Sequence, residues 1–322
     1  RKKKMAWDTI SGILLLLLGL AKANFLAIRQ SDTGYAELSL MNNDNELITT
    51  SNLSFQYSTP HIEATATDHD TYYVVSFPND DPNGAAHLWE LDFNLTIIKE
   101  WIQPADGLLF FDLQYSSQES NLFGIAVNGT YGRVVSYINI STDEVTANYV
   151  APCPYMWYVN ASTMNHDDNI YYGLLNHFNN ESAGQKLFVV NVTDGLSTIF
   201  DYNVTLTGLL YYITFTSEGL YAMSTGSSEG VGYATLGHLS FGTDDNVLFQ
   251  PITTFDGLGK YSPIFASTSS STRNEVCTLV GNGEGIPQLA CYDLVSQSIQ
   301  LNEYLESGAG NPAAVASFYI NN

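Results

Sequence analysis

The residues with the clearest chemical potential are eight asparagines in Asn-x-Ser/Thr sequons, the acceptor motif for N-linked glycans. We expect glycans at seven of them, namely Asn52, Asn94, Asn128, Asn139, Asn180, Asn191 and Asn203. The eighth, Asn160, falls inside a predicted inner strand and is expected to stay bare. Asn94, Asn139 and Asn191 each follow the third strand of a predicted repeat, where a turn exposes the side chain. The alternative is that these asparagines only begin Asx turns, which would not prevent glycosylation.

Three cysteines are too few for a disulfide scaffold, but the spacing of two of them is informative. Cys277 and Cys291 are equally distant from Glu284, the centre of a glycine-rich turn. Because residues equidistant from a hairpin turn face each other, we expect these two to form a cross-strand disulfide. Cys153 is left over, and is either an unpaired thiol or a link between chains.

The sequence identifies no complete catalytic constellation. The six histidines have no pair at i, i+2 or i, i+4, so a zinc site is not expected. The one Gly-x-Ser-x-Gly string, Gly226 to Gly230, lies in a chain predicted to be all-β and so lacks the helix of a nucleophile elbow, and Cys153 has no local sign of a partner base. Acidic residues are numerous enough for two carboxylates to meet in space, as glycosidases require. We therefore keep a carbohydrate-active hydrolase or lyase as the alternative hypothesis, and expect no cofactor.

Calcium is the one metal that the sequence leaves open. Short turns with several oxygen ligands occur at Asp80 to Asn83, Asp167 to Asn169 and Asp244 to Asn246. None has the twelve-residue loop pattern with its terminal Glu. Solvated turn acids are therefore the favoured interpretation.

Aromatic residues could provide a ligand site. Tyr155 and Trp157 lie near the start of one predicted inner strand, and Tyr211 lies near the start of the next. Such rings can stack on a sugar or a peptide. The alternative is core packing, because large aromatic side chains commonly fill the space between twisted sheets.

The first 23 residues have the layout of a secretory signal peptide. Four basic residues precede an apolar run from Ile10 to Leu20, and Ala21 to Ala23 forms a small-x-small cleavage site. The apolar run is about half of the roughly 20 residues that a membrane-spanning helix needs. We expect residues 1–23 to be removed, residues 24–322 to form a single domain, and the protein to be secreted without a membrane anchor.

The charge of residues 24–322 excludes some classes of partner. They contain six of the 11 basic residues and 32 of the 33 acidic ones, which corresponds to a net charge of −26. Binding to nucleic acid or to anionic lipid depends on Lys and Arg, so neither partner is expected. An acidic surface is typical of a soluble extracellular protein, and could also attract cationic partners.

The elements that position these residues are predicted by an internal repeat. Short aromatic-rich strands recur from Asn24, Thr71, Asn121, Asn169, Gly219 and Asn274, at steps of 47, 50, 48, 50 and 55 residues. A period near 50 with four short strands per repeat is typical of β-propeller blades, whereas helical repeats need a 3.6-residue periodicity. We predict an all-β, six-bladed propeller of four-stranded antiparallel blades.

The two ends of the chain predict how the ring closes. The chain after residue 23 begins with a second-strand pattern, Phe25 to Arg29, and its last segment, Ala313 to Ile320, resembles a first strand. One blade would then combine both ends, which removes exposed sheet edges. A seven-bladed ring, or less favourably a β-sandwich, is the alternative.

The repeats resemble the broad propeller superfamily with repeats of the Tyr-Val-Thr-Asn type. The matching residues are Tyr72 to Val75, Leu91-Asp92 and Cys291 to Asp293. This resemblance implies the fold but almost no function, because propellers serve as enzymes, lectins and docking platforms. We therefore expect a secreted, N-glycosylated binding or structural glycoprotein that is not an enzyme and that engages an extracellular glycan or protein.

Overall fold

The structure is a computed structural model of the 322-residue chain. It describes residues 24–30, 35–42, 47–56, 63–66, 71–76, 87–92, 94–102, 109–110, 113–116, 121–128, 132–139, 147–152, 157–165, 167–177, 184–202, 208–228, 231–242, 245–256, 267–270, 274–281, 287–303 and 318–321. Every regular element in these residues is a β-strand. They contain no helix of the length and apolarity needed to cross a membrane.

The strands form units of four antiparallel neighbours, which we number along the chain. Unit 1 contains β1 (Asn24–Gln30), β2 (Tyr35–Asn42) and β3 (Leu47–Gln56), together with the last strand, β25 (Phe318–Asn321). Unit 2 contains β4 (Glu63–Ala66), β5 (Tyr72–Ser76), β6 (His87–Leu91) and β7 (Ile97–Ile102). Unit 3 contains β8 (Leu109–Phe110) and β9 (Gln114–Ser116), which share one strand position, then β10 (Asn121–Asn128), β11 (Gly132–Asn139) and β12 (Ala147–Pro152).

The second half of the chain repeats this order. Unit 4 contains β13 (Trp157–Asn165), β14 (Ile170–His177), β15 (Gln185–Asn191) and β16 (Ser197–Tyr202). Unit 5 contains β17 (Leu210–Thr216), β18 (Gly219–Ser228), β19 (Val231–Phe241) and β20 (Asn246–Asp256). Unit 6 contains β21 (Ser267–Ser270), β22 (Glu275–Gly281), β23 (Pro287–Asp293) and β24 (Ser298–Glu303).

The first strand of each unit is its inner strand, and inner strands of successive units touch. Contacts join β4 to β9, β9 to β13, β13 to β17, β17 to β21, β21 to β25 and β25 to β4. Two neighbouring pairs of units are also joined by parallel hydrogen bonding, between the outer strands β16 and β20 and between the inner strands β21 and β25. The units therefore lie side by side, with their inner strands together, as in a β-propeller.

Alternation along the strands places apolar side chains on both faces of a unit. In β14, Tyr171 packs with Phe123 and Val135 of unit 3, whereas its neighbour Tyr172 packs with Ile213 of unit 5. Both tyrosines are buried. Unit 4 thus contributes to two cores, one shared with unit 3 and one with unit 5, and unit 5 shares a further core with unit 6.

The inner strand position is filled differently in two of the units. In unit 3, β8 and β9 pair with β10 separately, and Leu113 between them is buried. In unit 1, the described C-terminal strand Phe318–Asn321 pairs with Asn24, Phe25 and Leu26 of β1.

Candidate functional site

Polar side chains on the inner strands bind the neighbouring unit. Gln114 of β9 donates through Nε2 to the carbonyl oxygen and the hydroxyl of Ser162 in β13, at 3.3 and 3.2 Å. Thr163 of β13 is buried, and its Oγ1 accepts the backbone N–H of Phe215 in β17 at 2.9 Å. These neutral groups therefore connect three consecutive inner strands.

Gln185 makes a similar connection further from the centre, and the sequence analysis did not identify it. Its side chain is buried, donates to the carbonyl oxygen of Leu210 at 2.6 Å and accepts the Leu210 N–H at 2.6 Å. The same Nε2 donates to Asn176 Oδ1 at 2.5 Å. No sequence signal pointed to it, because Gln185 is the first residue of its strand and is followed by Lys186; only its burial in the structure shows that the amide needs partners.

Tight turns with side-chain caps join the first strand of a unit to the second. In unit 4, Asn165 Oδ1 accepts the N–H groups of Asp167 and Asp168, and Asn165 Nδ2 donates to the Asp168 carboxylate. In unit 5, Thr216 Oγ1 accepts the N–H of Glu218. These acidic residues are exposed on rigid turns.

The turns between the third and fourth strands are capped at equivalent positions. In each turn, the capping side chain accepts the N–H of the residue two positions after it. The capping atoms are Asp92 Oδ1 in unit 2, Asn191 Oδ1 in unit 4 and Asp293 Oδ1 in unit 6. The pKa of Asp293 is lowered because the N–H groups of Ser296 and Val295 and the Ser296 hydroxyl stabilise its carboxylate.

This equivalence corrects the expectation that Asn94, Asn139 and Asn191 occupy matching positions. Asn139 and Asn191 do match, because each is the last residue of its strand and lies opposite the first residue of the preceding one. Asn94 lies two residues after Asp92, in the turn that Asp92 caps, and its side chain is exposed.

The remaining sequons fall in varied places. Asn52 lies within β3, and Asn128 is the last residue of β10, opposite Gly132. Asn160 lies in inner strand β13, as predicted, at an irregularity in its pairing with β14. Asn180 and Asn203 lie outside the described residues.

The three aromatic ligand candidates are not brought together by the described residues. Tyr211 is only 3% exposed, and its hydroxyl donates to Met223 Sδ at 3.4 Å within the core between units 5 and 6. Trp157 begins β13 opposite His177. Tyr155 lies outside the described residues.

The two cysteines expected to pair lie directly opposite each other on β22 and β23. A disulfide joins Cys277 to Cys291, whose Cα atoms are 4.0 Å apart, and both residues are buried. Cys153 lies outside the described residues.

Metal-ligating side chains do not cluster in the part of the chain that the structure describes. No group of three or more His, Cys, Asp or Glu residues in it could hold an ion. Of the three turns considered for calcium, the described part of the second one contains Asp167 and Asp168, whose N–H groups and one carboxylate are bound by Asn165.

One polar pair on unit 2 also escaped the sequence analysis. Tyr73 and Glu90 are directly opposite on β5 and β6, and the tyrosine hydroxyl is hydrogen-bonded to the carboxylate. Burial of Tyr73, followed by the charges of Glu90 and Tyr115, raises the pKa of its hydroxyl. Its ring stacks on that of Tyr115 in unit 3, at 6.2 Å between centroids.

Comparison with known proteins identifies the fold alone. No protein-family model and no curated protein sequence matches the chain. Among solved structures, TolB from Acinetobacter baumannii, a β-propeller, superposes with a TM-score of 0.57 at 12% identity over 92% of this chain and 66% of TolB. The chain thus spans just under two thirds of the length of TolB.

Two bacterial proteins described as candidate 6-phosphogluconolactonases are also similar in structure. The one from Bacteroides fragilis has a TM-score of 0.52 at 8% identity over 94% of this chain and 99% of its own. The one from Bacteroides uniformis has a TM-score of 0.50 at 9% identity over 93% of this chain and 99% of its own. Likeness at such low identity is evidence of architecture and not of activity. Together with the repeated four-stranded units, it shows that this chain is an all-β protein with the β-propeller fold.

Proposed function

We propose that this chain is a secreted, N-glycosylated, six-bladed β-propeller that binds an extracellular glycan or protein and is not an enzyme. Residues 1–23 are its signal peptide and residues 24–322 its single domain. Cys153 is unpaired or links two chains. The protein needs neither cofactor nor metal and binds neither nucleic acid nor membrane.

The contacts between inner strands support the proposed number of six blades. Each inner strand touches the next, and β25 touches both β21 and β4. The pairing of β25 with β1 supplies unit 1 with its fourth strand. Six units arranged in this way would form a closed ring in which no blade lacks an inner strand.

The observation that carries the binding role is the use of polar groups on the inner strands. Gln114, Thr163 and the more peripheral Gln185 each make hydrogen bonds to a neighbouring unit. Catalysis instead needs polar groups that are held ready to meet a substrate. The described inner strands are therefore suited to a rigid support, and the loops and outer strands are left to contact a partner.

The composition of the inner strands also favours binding over glycoside hydrolysis. The described inner strands contain one carboxylate residue, Glu63 of β4. Most glycosidases use two carboxyl groups on either side of the scissile bond. A hydrolase would therefore have to take its second carboxylate from a loop.

Three features support secretion. A disulfide between Cys277 and Cys291 suits an oxidising compartment. Asn94 and Asn191 lie on turns at the protein surface, where glycosylation is possible. The third feature is the signal-peptide layout of residues 1–23.

The experiment is to produce the chain in a eukaryotic secretory host and apply the purified protein to a glycan array and to a panel of chromogenic glycosides. We expect the protein to be recovered from the culture medium and to carry glycans at its sequons. We also expect it to bind a glycan without turning over any of the glycosides. Turnover that is lost in Glu63→Gln would overturn the proposal and establish the hydrolase alternative. A chain that stays inside the host cell without glycans would refute secretion.

A further inference from the structure

We propose that the glycan on Asn191 covers an apolar surface that begins at Leu196 and continues along the seam between units 4 and 5. This inference rests on the proposed glycosylation, and assigns the modification a role in shielding the protein from self-association. The covering group is thus a part of the mature molecule itself.

The first step is the geometry of the turn. The Asn191 N–H donates to the Leu196 carbonyl oxygen, and the Gly195 N–H donates to the Asn191 carbonyl oxygen, both at 2.9 Å. Val190 and Ser197 pair in the register of β15 and β16, so Asn191 and Leu196 are the next opposing pair. Directly opposed residues in an antiparallel hairpin place their side chains on the same face. The Leu196 side chain therefore lies next to the glycan attachment point.

The second step is the orientation of the Asn191 side-chain amide, to which the glycan would be attached. Asn191 Oδ1 accepts the Thr193 N–H at 3.0 Å, which orients the side-chain amide. A glycan is joined to Nδ2, so this hydrogen bond is compatible with modification. The sugar would thus leave the turn from a fixed side chain, which lowers the entropy lost when it rests on a nearby surface.

The third step is the exposure of the apolar surface. Leu196 is 71% exposed, the highest value among the large hydrophobic side chains of the described residues. Phe200 lies four residues further along β16 on the same face, with Thr198 between them, and its ring contacts that of Phe241 in unit 5 at 4.7 Å between centroids. Phe241 is itself 46% exposed. Several exposed apolar side chains along one seam of a protein surface often meet a partner or a cover.

Two equivalent turns provide an internal comparison. Asp92 and Asp293 cap their turns as Asn191 does, but neither begins a sequon. The residue opposite Asp92 is Thr96, and the residue opposite Asp293 is Ser298, and both are polar and exposed. Of these three capping residues, only Asn191 is itself a sequon asparagine and lies opposite an apolar residue, although the Asp92 turn has its own sequon at Asn94 and the Asp293 turn exposes Val295.

The test uses Asn191→Asp, which removes the glycan and keeps the carboxyl oxygen that caps the turn, as Asp293 does in unit 6. Peptide mapping first establishes occupancy of Asn191 in the secreted wild type. Binding of the neutral dye Nile red and retention on a hydrophobic-interaction column are then compared between the two proteins. We expect Asn191→Asp to bind more dye and to elute later, at unchanged thermal stability.

A second substitution separates shielding from a general effect of glycan loss. Leu196→Ser in the Asn191→Asp background makes the turn resemble that of Asp293 and Ser298, and should return dye binding to the wild-type value. Leu196→Ser alone, with the glycan present, should change nothing. If Asn191 is occupied and Asn191→Asp behaves as the wild type, the shielding role is wrong while glycosylation stands. If Asn191 is unoccupied, both are wrong at this residue.

Discussion

The side chain of Gln185 in unit 4 pairs with the backbone of Leu210 in unit 5 as a neighbouring strand would, with its amide donating to the carbonyl oxygen and its oxygen accepting the N–H. Both residues are buried. The two residues are 25 positions apart in the sequence, and their hydrogen bonds join two neighbouring units.

Replacing Gln185 with Leu should destabilise the protein strongly. The change leaves the N–H and the carbonyl group of Leu210 buried without these partners, and each unmade hydrogen bond costs about 1–3 kcal/mol. We expect the free energy of unfolding to fall by about 2–4 kcal/mol, measured by urea denaturation. Gln250→Leu, at an exposed position of β20, is the matched control and should be nearly neutral. Equal losses in both variants would contradict this role.

Substitution of two glycines with positive φ should distinguish the cost of steric clash from the cost of backbone strain. Gly184 has φ +83°, and a Cβ there would lie 3.6 Å from its nearest atom, the Tyr202 carbonyl oxygen. Gly195 has φ +74°, and a Cβ there would lie only 2.7 Å from the Val150 carbonyl oxygen. Gly184→Ala should therefore cost about 1–2 kcal/mol from backbone conformation alone. Gly195→Ala should cost clearly more, because β12 of unit 3 must move. The measurement is thermal unfolding, and a smaller loss for Gly195→Ala would show that this turn does not pack on unit 3 as described.

The disulfide should contribute a limited share of the stability. Cys277 and Cys291 are 14 residues apart, and closing a loop of that size stabilises by about 3 kcal/mol in the chain-entropy model. The double variant Cys277→Ala with Cys291→Ala should fold, with a lower urea midpoint. Disulfide mapping of the wild type checks the pairing, since a bond from Cys153 to either cysteine would contradict the assignment of strands.

Alkaline stability should depend on Tyr73. Its pKa in the folded protein is raised above the unfolded value near 10 by burial and by the Glu90 carboxylate. Its contribution is therefore complete below about pH 10 and is lost as the pH rises above that value, because only the unfolded chain ionises readily. Tyr73→Phe should unfold at a higher pH than the wild type when followed by circular dichroism. Tyr233→Phe is the comparison variant, and an equal shift there would refute a specific effect of Tyr73.

Removal of residues 313–322 should open the ring. The deletion removes β25, which leaves the edges of β1 and β21 unpaired. We expect a lower melting temperature and self-association, because unpaired strand edges recruit other chains. Calorimetry and light scattering would measure both. A truncated chain that melts as the full-length protein does and stays monomeric would contradict closure by this strand.

Local pattern was enough to determine the all-β class, the repeat and the hairpin of the cysteines. Strand and turn propensities act over a few residues, so the spacing of Tyr72, Tyr171 and Leu220 already marks equivalent strands. The symmetry of Cys277 and Cys291 about one turn is likewise a local relation. Register within a hairpin follows from its turn, and this is why the cysteines are opposite in the structure.

The relations between units were decided only by the tertiary structure. Nothing near Gln185 in the sequence indicates Leu210 as its partner, and a Tyr211 beside a loop could equally well have been exposed. Asn94 and Asn191 looked equivalent until the hydrogen bonds showed that Asp92, and not Asn94, caps its turn. These outcomes depend on how twisted sheets face each other across a shared core, and that orientation is a property of distant contacts that short-range sequence patterns do not encode.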